Sequence, residues 1–468
     1  MLPDPYVPHE KELKTILEQV IAETHVPGIG IVASVNGRQA SAFVGVAAFG
    51  QRYELSDQSR FEMSCLMKLF LSLVAVELAS KGTLDVNRPL EEYLPELRLE
   101  CFHGEKPCVR HLLSHTSGYR GLDVSNSRIR WNFTWERFIE HYAACGQSFL
   151  PGSVFNYEHS EHVILGRIIE NICGEPATEV VKNRIFRPLG ISPSCAKLDS
   201  SQQRAFVAQH TYSAKVGCYM PIAIPAFGPF WASSLPDATI TLHEVIAVGE
   251  NLLAIQNTVG GPAVFDPATL ATLRRPGLTL PYQVSSGVRA EEAPIAFGPV
   301  CAHYRDGVIG HNASMFGQTC SLRMDLSQNV AVAVGVNAWS PYARDNVLNR
   351  ALALISRCTD FGDEVARSNG PSFPLEHLTG GFPPDVLAGS YMGSYFGEVH
   401  VSCTTTHLHF DLGQPGTARS RISAFPDQFP LYKIESPVPI MLGFFNDPTD
   451  RDSPALMVGV HAYKKQPV

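Results

Sequence analysis

Cys65 and Lys68 stand three residues apart in the run Phe61-Glu62-Met63-Ser64-Cys65-Leu66-Met67-Lys68-Leu69-Phe70. On a helix that spacing places both side chains on one face. The apolar periodic run starts directly after Cys65, so the helix is expected to begin there, with the thiol in its first turn. In that position it feels the positive end of the helix dipole and unpaired backbone N–H groups. A lysine alongside lowers the thiol from its usual pKa of about 8.5 towards neutrality, giving a thiolate that can attack carbonyls. Ser64 is a rival nucleophile, because it is also a neighbour of Lys68, at i, i+4. A small buried thiol before an apolar helix is the bland alternative, and this segment alone does not decide between them.

Three further segments carry residues of chemical interest. Val109–Gly118 contains His111 and His115 at i, i+4, but no acidic third ligand stands at a metal-site spacing, so no metal is expected. Pro151-Gly152-Ser153-Val154-Phe155-Asn156-Tyr157-Glu158-His159 leads into a helical stretch from Val163. A tyrosine held near a lysine can relay protons despite its high pKa; otherwise Tyr157 is an aromatic packed at a loop–helix junction. Gly310-His311-Asn312-Ala313-Ser314-Met315-Phe316-Gly317 precedes two strand-like runs.

Together, and in this order, these blocks resemble those of the penicillin-binding proteins, class C β-lactamases and related esterases and acyltransferases. The first resembles that family's S-x-x-K region, with cysteine in place of the nucleophilic serine. A phenylalanine commonly lies four residues before that nucleophile, and Phe61 fits Cys65, not Ser64. Gly82-Thr83-Leu84-Asp85 and Tyr93-Leu94-Pro95-Glu96 resemble the segments that follow. The resemblance implies that Cys65 is the nucleophile and that Lys68 and Tyr157 shuttle its proton. It also implies that the backbone N–H groups of Cys65 and Ser314 form an oxyanion hole. The string around His111 and His115 matches a family hallmark that is structural.

Besides Cys65, two positions depart from the family pattern. His159 stands where asparagine usually contacts the substrate, and either a ligand contact or a Cys–His pair with Cys65 is open to it. His311 matches the first position of a G-H-x-G strand, Ala313 replaces the glycine, and His311 and Asn312 join His159 as expected substrate contacts. A methyl group at 313 narrows the approach to the strand and makes bulky β-lactams less suitable.

The elements needed to position these residues are visible as patterns. Glu10–Glu23 has a helical apolar stripe, and Asn36-Gly37 separates two strand-like runs, a strong hairpin signal. Helical character dominates from Lys68 to about Arg187, and another helix is expected over Thr239–Gln256. Strands return at Ser321–Asp325 and Val330–Val336, before a helix near Arg344–Arg357. This order predicts an α/β (α+β) β-lactamase/transpeptidase-like fold, an antiparallel sheet flanked by helices with an all-helical insert. The catalytic domain is expected over 1–365. A Gly/Pro-rich linker over 366–384 should lead to a small antiparallel β-barrel-like domain over 385–468.

Composition narrows the function classes. Of the 468 residues, 45% are hydrophobic and 18% charged, ample for a packed core, and no apolar run is long enough to span a membrane. The net charge of −8, with no basic stripe, argues against nucleic acid. Eleven cysteines without a CxxC pair fit reduced thiols, and the N-terminus lacks a secretory pattern, so a cytoplasmic setting is expected. No cofactor is expected. The expected activity is acyl transfer or amide, ester or thioester processing on a small metabolite, in a setting such as secondary metabolism and not cell-wall chemistry. The donor would be a thioester on coenzyme A or a carrier protein. A hydrolase of the same fold, or a catalytically silent binding protein, are the alternatives.

Overall fold

The structure is a computed structural model that describes residues 5–50, 53–101, 104–122, 134–195, 206–213, 216–222, 238–257, 264–279, 296–304, 307–315, 317–357 and, between 384 and 465, one short helix and eight strands. An eight-stranded, wholly antiparallel sheet forms its frame. From edge to edge its strands are Arg38–Gly45, Gly28–Val35, Val330–Val336, Gln318–Asp325, Val308–Met315, Ala302–His303, Ala296–Phe297 and Leu278–Thr279. The sheet therefore joins strands from residues 28–45 with strands from 278–336, as the alternation of elements predicts. Asn36 and Gly37, with φ of 52° and 78°, make the two-residue hairpin turn in which both central residues must be left-handed.

Residue size divides the two faces of the sheet. On Val330–Val336, the even-numbered valines pack with Ile29, Ile31, Ala33 and Val35 against helices Glu10–Thr24 and Pro341–Ser356. The opposite face carries Ala331, Ala333 and Gly335, with Gly30 on the neighbouring strand. These small residues let helix Leu242–Asn257 and the ring of Phe61 come close: a methyl group at Gly335 would lie 2.8 Å from that ring. Phe61 sits in a short strand, Arg60–Glu62, paired with Ala238–Thr241. The residues expected to open a helix at Thr239 thus form a strand first, and the helix starts at Leu242. Pairing with Arg60–Glu62 is a long-range constraint that local periodicity does not carry.

Helix Leu66–Ser80 lies in the centre of the molecule. Twelve of its fifteen residues are buried, including Lys68, as suits a helix that is apolar all round. Helices Val109–Leu113, Trp135–Cys145, Ser160–Cys173 and Ala177–Val181 belong to the expected insert. The C-terminal strands, from Gly389–Gly393 to His461–Lys465, close into an eight-stranded antiparallel barrel. The expected linker over 366–384 lies, apart from Pro384 at the start of the short helix Pro384–Leu387, outside the described residues.

Phe61 thus couples the sheet to the turn that carries Cys65. Phe61→Ala should cost about 3–5 kcal/mol, the usual penalty for emptying such a site. Denaturant unfolding followed by tryptophan fluorescence checks this; an unchanged midpoint would show that the ring does not anchor this turn.

Candidate active site

The chain reaches Cys65 through a tight turn. Ser64 has a left-handed φ of 40°, and the N–H groups of Leu66, Met67 and Lys68 bond back to the carbonyls of Met63, Ser64 and Cys65. Cys65 itself occupies the N-cap position of helix Leu66–Ser80. One turn on, the Lys68 ammonium is 1% exposed. Its Nζ lies 3.5 Å from Cys65 Sγ, 3.0 Å from the Tyr157 hydroxyl and 2.8 Å from His159 Nδ1. Three partners match the three donors of an ammonium.

The surroundings set the charge of each group. Burial pushes the Cys65 thiol up. The nearby Lys68 charge, with hydrogen bonds from the Tyr157 and Ser64 hydroxyls and the Ser314 backbone N–H, outweighs that and lowers it overall. Burial lowers Lys68 in turn, partly offset by Cys65, Glu158 and Glu161. Burial and the neighbouring Cys65 raise Tyr157 well above its ordinary value, so it keeps its proton. A continuous path results, in which Lys68 donates to the Tyr157 oxygen and Tyr157 donates to the sulfur.

Strand Val308–Met315 supplies the other wall. It bonds to Gln318–Asp325 along its length, whereas Ala302–His303 reaches only Ile309 and Gly310 on its other edge. Among the described residues this pairing stops short of Ser314, whose N–H meets the thiol. His311 faces the site: its ring centroid lies 6.3 Å from that of Tyr157, and burial, followed by the Lys68 charge, lowers it to about 3, keeping it neutral. Asn312 and Ser314 alternate to the far face. Asn312 Oδ1 accepts from Ser321, and Ser314 Oγ accepts from buried Arg344. The structure therefore brings Cys65, Lys68, Tyr157, His159, His311 and the Ser314 N–H together, and turns the Asn312 side chain elsewhere. Ala313 is buried in the core. The sequence leaves His159 either a substrate contact or a pair with Cys65; the bond that the geometry gives it is a third one, between its Nδ1 and Lys68 Nζ.

Behind Tyr157 lies a buried layer that motif reading passes over. The His115 ring centroid is 4.4 Å from that of Tyr157 and 4.8 Å from that of His162, whose Nε2 meets Ser72 Oγ at 3.1 Å. His115 Nδ1 accepts from the Glu158 backbone N–H and lies 2.7 Å from Glu161 Oε2. An amide can only donate, so the proton of the shorter contact belongs to the Glu161 carboxyl, which burial raises well above the carboxylate range. Glu158, 2% exposed, accepts from the Ser160 N–H and hydroxyl, yet burial raises it to about 7. The available signal was Glu158, Glu161 and His162 crowding the start of an apolar helix. Among the described residues, no group of histidine, cysteine and acidic side chains could hold a metal ion, and no helix is long and apolar enough to cross a membrane.

The Beta-lactamase family profile matches residues 13–357, and the chain belongs to that family. Its fold is the β-lactamase/transpeptidase-like fold, an antiparallel sheet flanked by helices. The chain is 28% identical over 173 residues to penicillin-binding protein 4 of Amycolatopsis lactamdurans, covering 37% of this chain and 45% of the relative. It is 26% identical over 216 residues to esterase EstB of Burkholderia gladioli, covering 42% and 54%. The matched segments span about half the length of these relatives. The crystal structure of SurE aligns with a TM-score of 0.71 at 19% identity, over 98% of this chain and 99% of that one.

Glu158 generates a pH dependence. A carboxyl raised from 4.5 to about 7 contributes stability that is present below pH 4.5 and lost as pH rises through about 7. The loss should be on the order of 3 kcal/mol. Glu158→Gln, which still accepts from Ser160, should flatten that part of the stability–pH curve. An equally steep curve in the variant would place the titration elsewhere.

Proposed function

We propose that this protein is a cysteine acyl-enzyme catalyst whose thiolate, Cys65, takes an acyl group from a thioester, ester or amide and passes it to an acceptor. The observation that carries this reading is the buried Lys68 ammonium, within hydrogen-bond reach of the thiol, the Tyr157 hydroxyl and His159 at once. A silent descendant of the fold has no need to keep a desolvated cation facing a thiol, since an unmatched buried charge is costly.

In the proposed cycle Cys65 Sγ attacks the carbonyl carbon, and its proton resides on the Lys68–Tyr157 pair. The carbonyl oxygen becomes an oxyanion facing the backbone N–H groups of Cys65 and Ser314. Collapse breaks the bond to the leaving group, which departs with a proton from Tyr157 resupplied by Lys68. The acyl-thioester on Cys65 then meets an amine, alcohol or water; Tyr157 takes the acceptor's proton as it passes its own to the now neutral Lys68 amine, and the thiolate leaves beside the restored ammonium. His159 Nδ1 receives a further N–H of Lys68 and helps hold the ammonium in place. His311, held neutral, adds polar surface without repelling the ammonium.

Sulfur favours transfer over hydrolysis. Thiolates exchange readily with thioesters, so a donor bound to coenzyme A or a carrier protein suits Cys65, with a small metabolite as acceptor and secondary metabolism as a fitting setting. SurE has been solved with D-Leu, and on that analogy of fold alone aminoacyl thioesters are the donors to try first.

Alkylation at pH 7, read by intact mass and peptide mapping, tests the activated thiol. Cys65 should label well ahead of the other thiols, and Lys68→Ala should slow it by about tenfold or more. Labelling of Cys65 no faster than the rest would sink the proposal and favour a binding protein. Cys65→Ser, given a donor that acylates both forms, should lower the ratio of aminolysis to hydrolysis, measured by product chromatography.

A further inference from the structure

Sulfur in place of oxygen at position 65 does more than change the leaving group. It sets an oxidisable atom against an amine that the fold already holds in place. Cys65 Sγ and Lys68 Nζ are 3.5 Å apart on one face of consecutive helical turns, and Cys65 is 7% exposed. Among the described cysteines whose acidity is shifted, Cys65 alone is lowered; Cys101, Cys108, Cys145, Cys173, Cys301 and Cys320 are raised by burial. Thiolate character selects the site of oxidation, and the nearest nucleophile decides the fate of the product. The amine that lies within hydrogen-bond distance of this sulfur is Lys68.

We propose that Cys65 and Lys68 form a reversible oxidative cross-link that switches the site off and shields it from irreversible damage. The proposal rests on the reading of Cys65 as an activated thiolate. With hydrogen peroxide as oxidant, the thiolate attacks one peroxide oxygen, the O–O bond breaks, and sulfenic acid forms with release of hydroxide. The neutral Lys68 amine then attacks the sulfenyl sulfur; an S–N bond forms, the S–O bond breaks and water leaves. The net change removes one hydrogen from each side chain and produces two waters. A low-molecular-weight thiol reverses it: it attacks the sulfur and releases the amine, and a second thiol reduces the mixed disulfide.

Two features of the site favour this outcome. Burial lowers Lys68, which increases the fraction of free amine needed for attack. The cross-link also replaces two desolvated charges with one neutral bond, removing their burial penalty. A serine at position 65 would be indifferent to peroxide.

The sequence supplies its own readout. Trypsin cutting after Arg60, Lys68 and Lys81 releases peptides 61–68 and 69–81. Lysine tied to sulfur is no longer a trypsin site, so the oxidised full-length protein should give an uncut peptide 61–81, lighter than its reduced sequence by about 2 Da. Dithiothreitol should restore both halves, and Cys65→Ser should be cut normally after peroxide. Lys68→Met should instead accumulate sulfenic acid trapped by dimedone. Peptide 61–68 carrying sulfinic acid, with no uncut form in the wild-type map, would overturn the cross-link. Fast alkylation of Cys65 alongside that result removes the cross-link alone; slow alkylation removes the catalytic reading as well.

Discussion

A single buried cation organises this molecule. Lys68 lies inside a helix that is apolar on every side, where an unmatched ammonium would be expelled or neutralised. It stays because sulfur, a tyrosine hydroxyl and an imidazole nitrogen receive its three donors. Each partner comes from a different constraint: Cys65 from the turn before the helix, Tyr157 from the preceding loop, and His159 from the cap of helix Ser160–Cys173. Anything that shifts one of these changes the balance holding the other two.

Burial, reinforced by the same cation, keeps the histidines that gather here unprotonated. His115, His162 and His311 are all lowered, by burial first and then by charged neighbours that include Lys68. Neutral rings pack tightly around an ammonium without repelling it and add polarisable edges. Glu161, holding its proton, completes a neutral pair with His115 behind Tyr157. With Glu161 and the histidines neutral, the charge in this layer rests on Glu158, which titrates at about 7, and at the front on the lysine and the thiol.

Much of this arrangement was legible in the sequence, for identifiable reasons. The Asn36-Gly37 turn, helix Glu10–Thr24 and strand Val330–Val336 follow from local patterns that tertiary contacts only reinforce. The Cys65–Lys68 relation is set by helix geometry, and Tyr157 by a motif. Three things escaped. Thr239 entered a strand because of a partner far away in the chain. Asn312 points to the face opposite His311 because strand residues alternate, a consequence visible only once the strand's register is known. The Glu161–His115 pair escaped because a buried carboxyl that keeps its proton looks, in sequence, like a solvated one.

The Ser64 turn has a consequence for how the protein could change over time. A non-glycine residue with φ of 40° carries a modest conformational cost, and here it falls immediately before the thiol. Glycine would relieve that cost, but it would also delete the hydroxyl that bonds to Cys65 Sγ and loosen the one segment aiming the sulfur. Selection for a hardier fold and selection for a well-aimed thiol therefore pull in opposite directions at this position, and serine is the compromise between them.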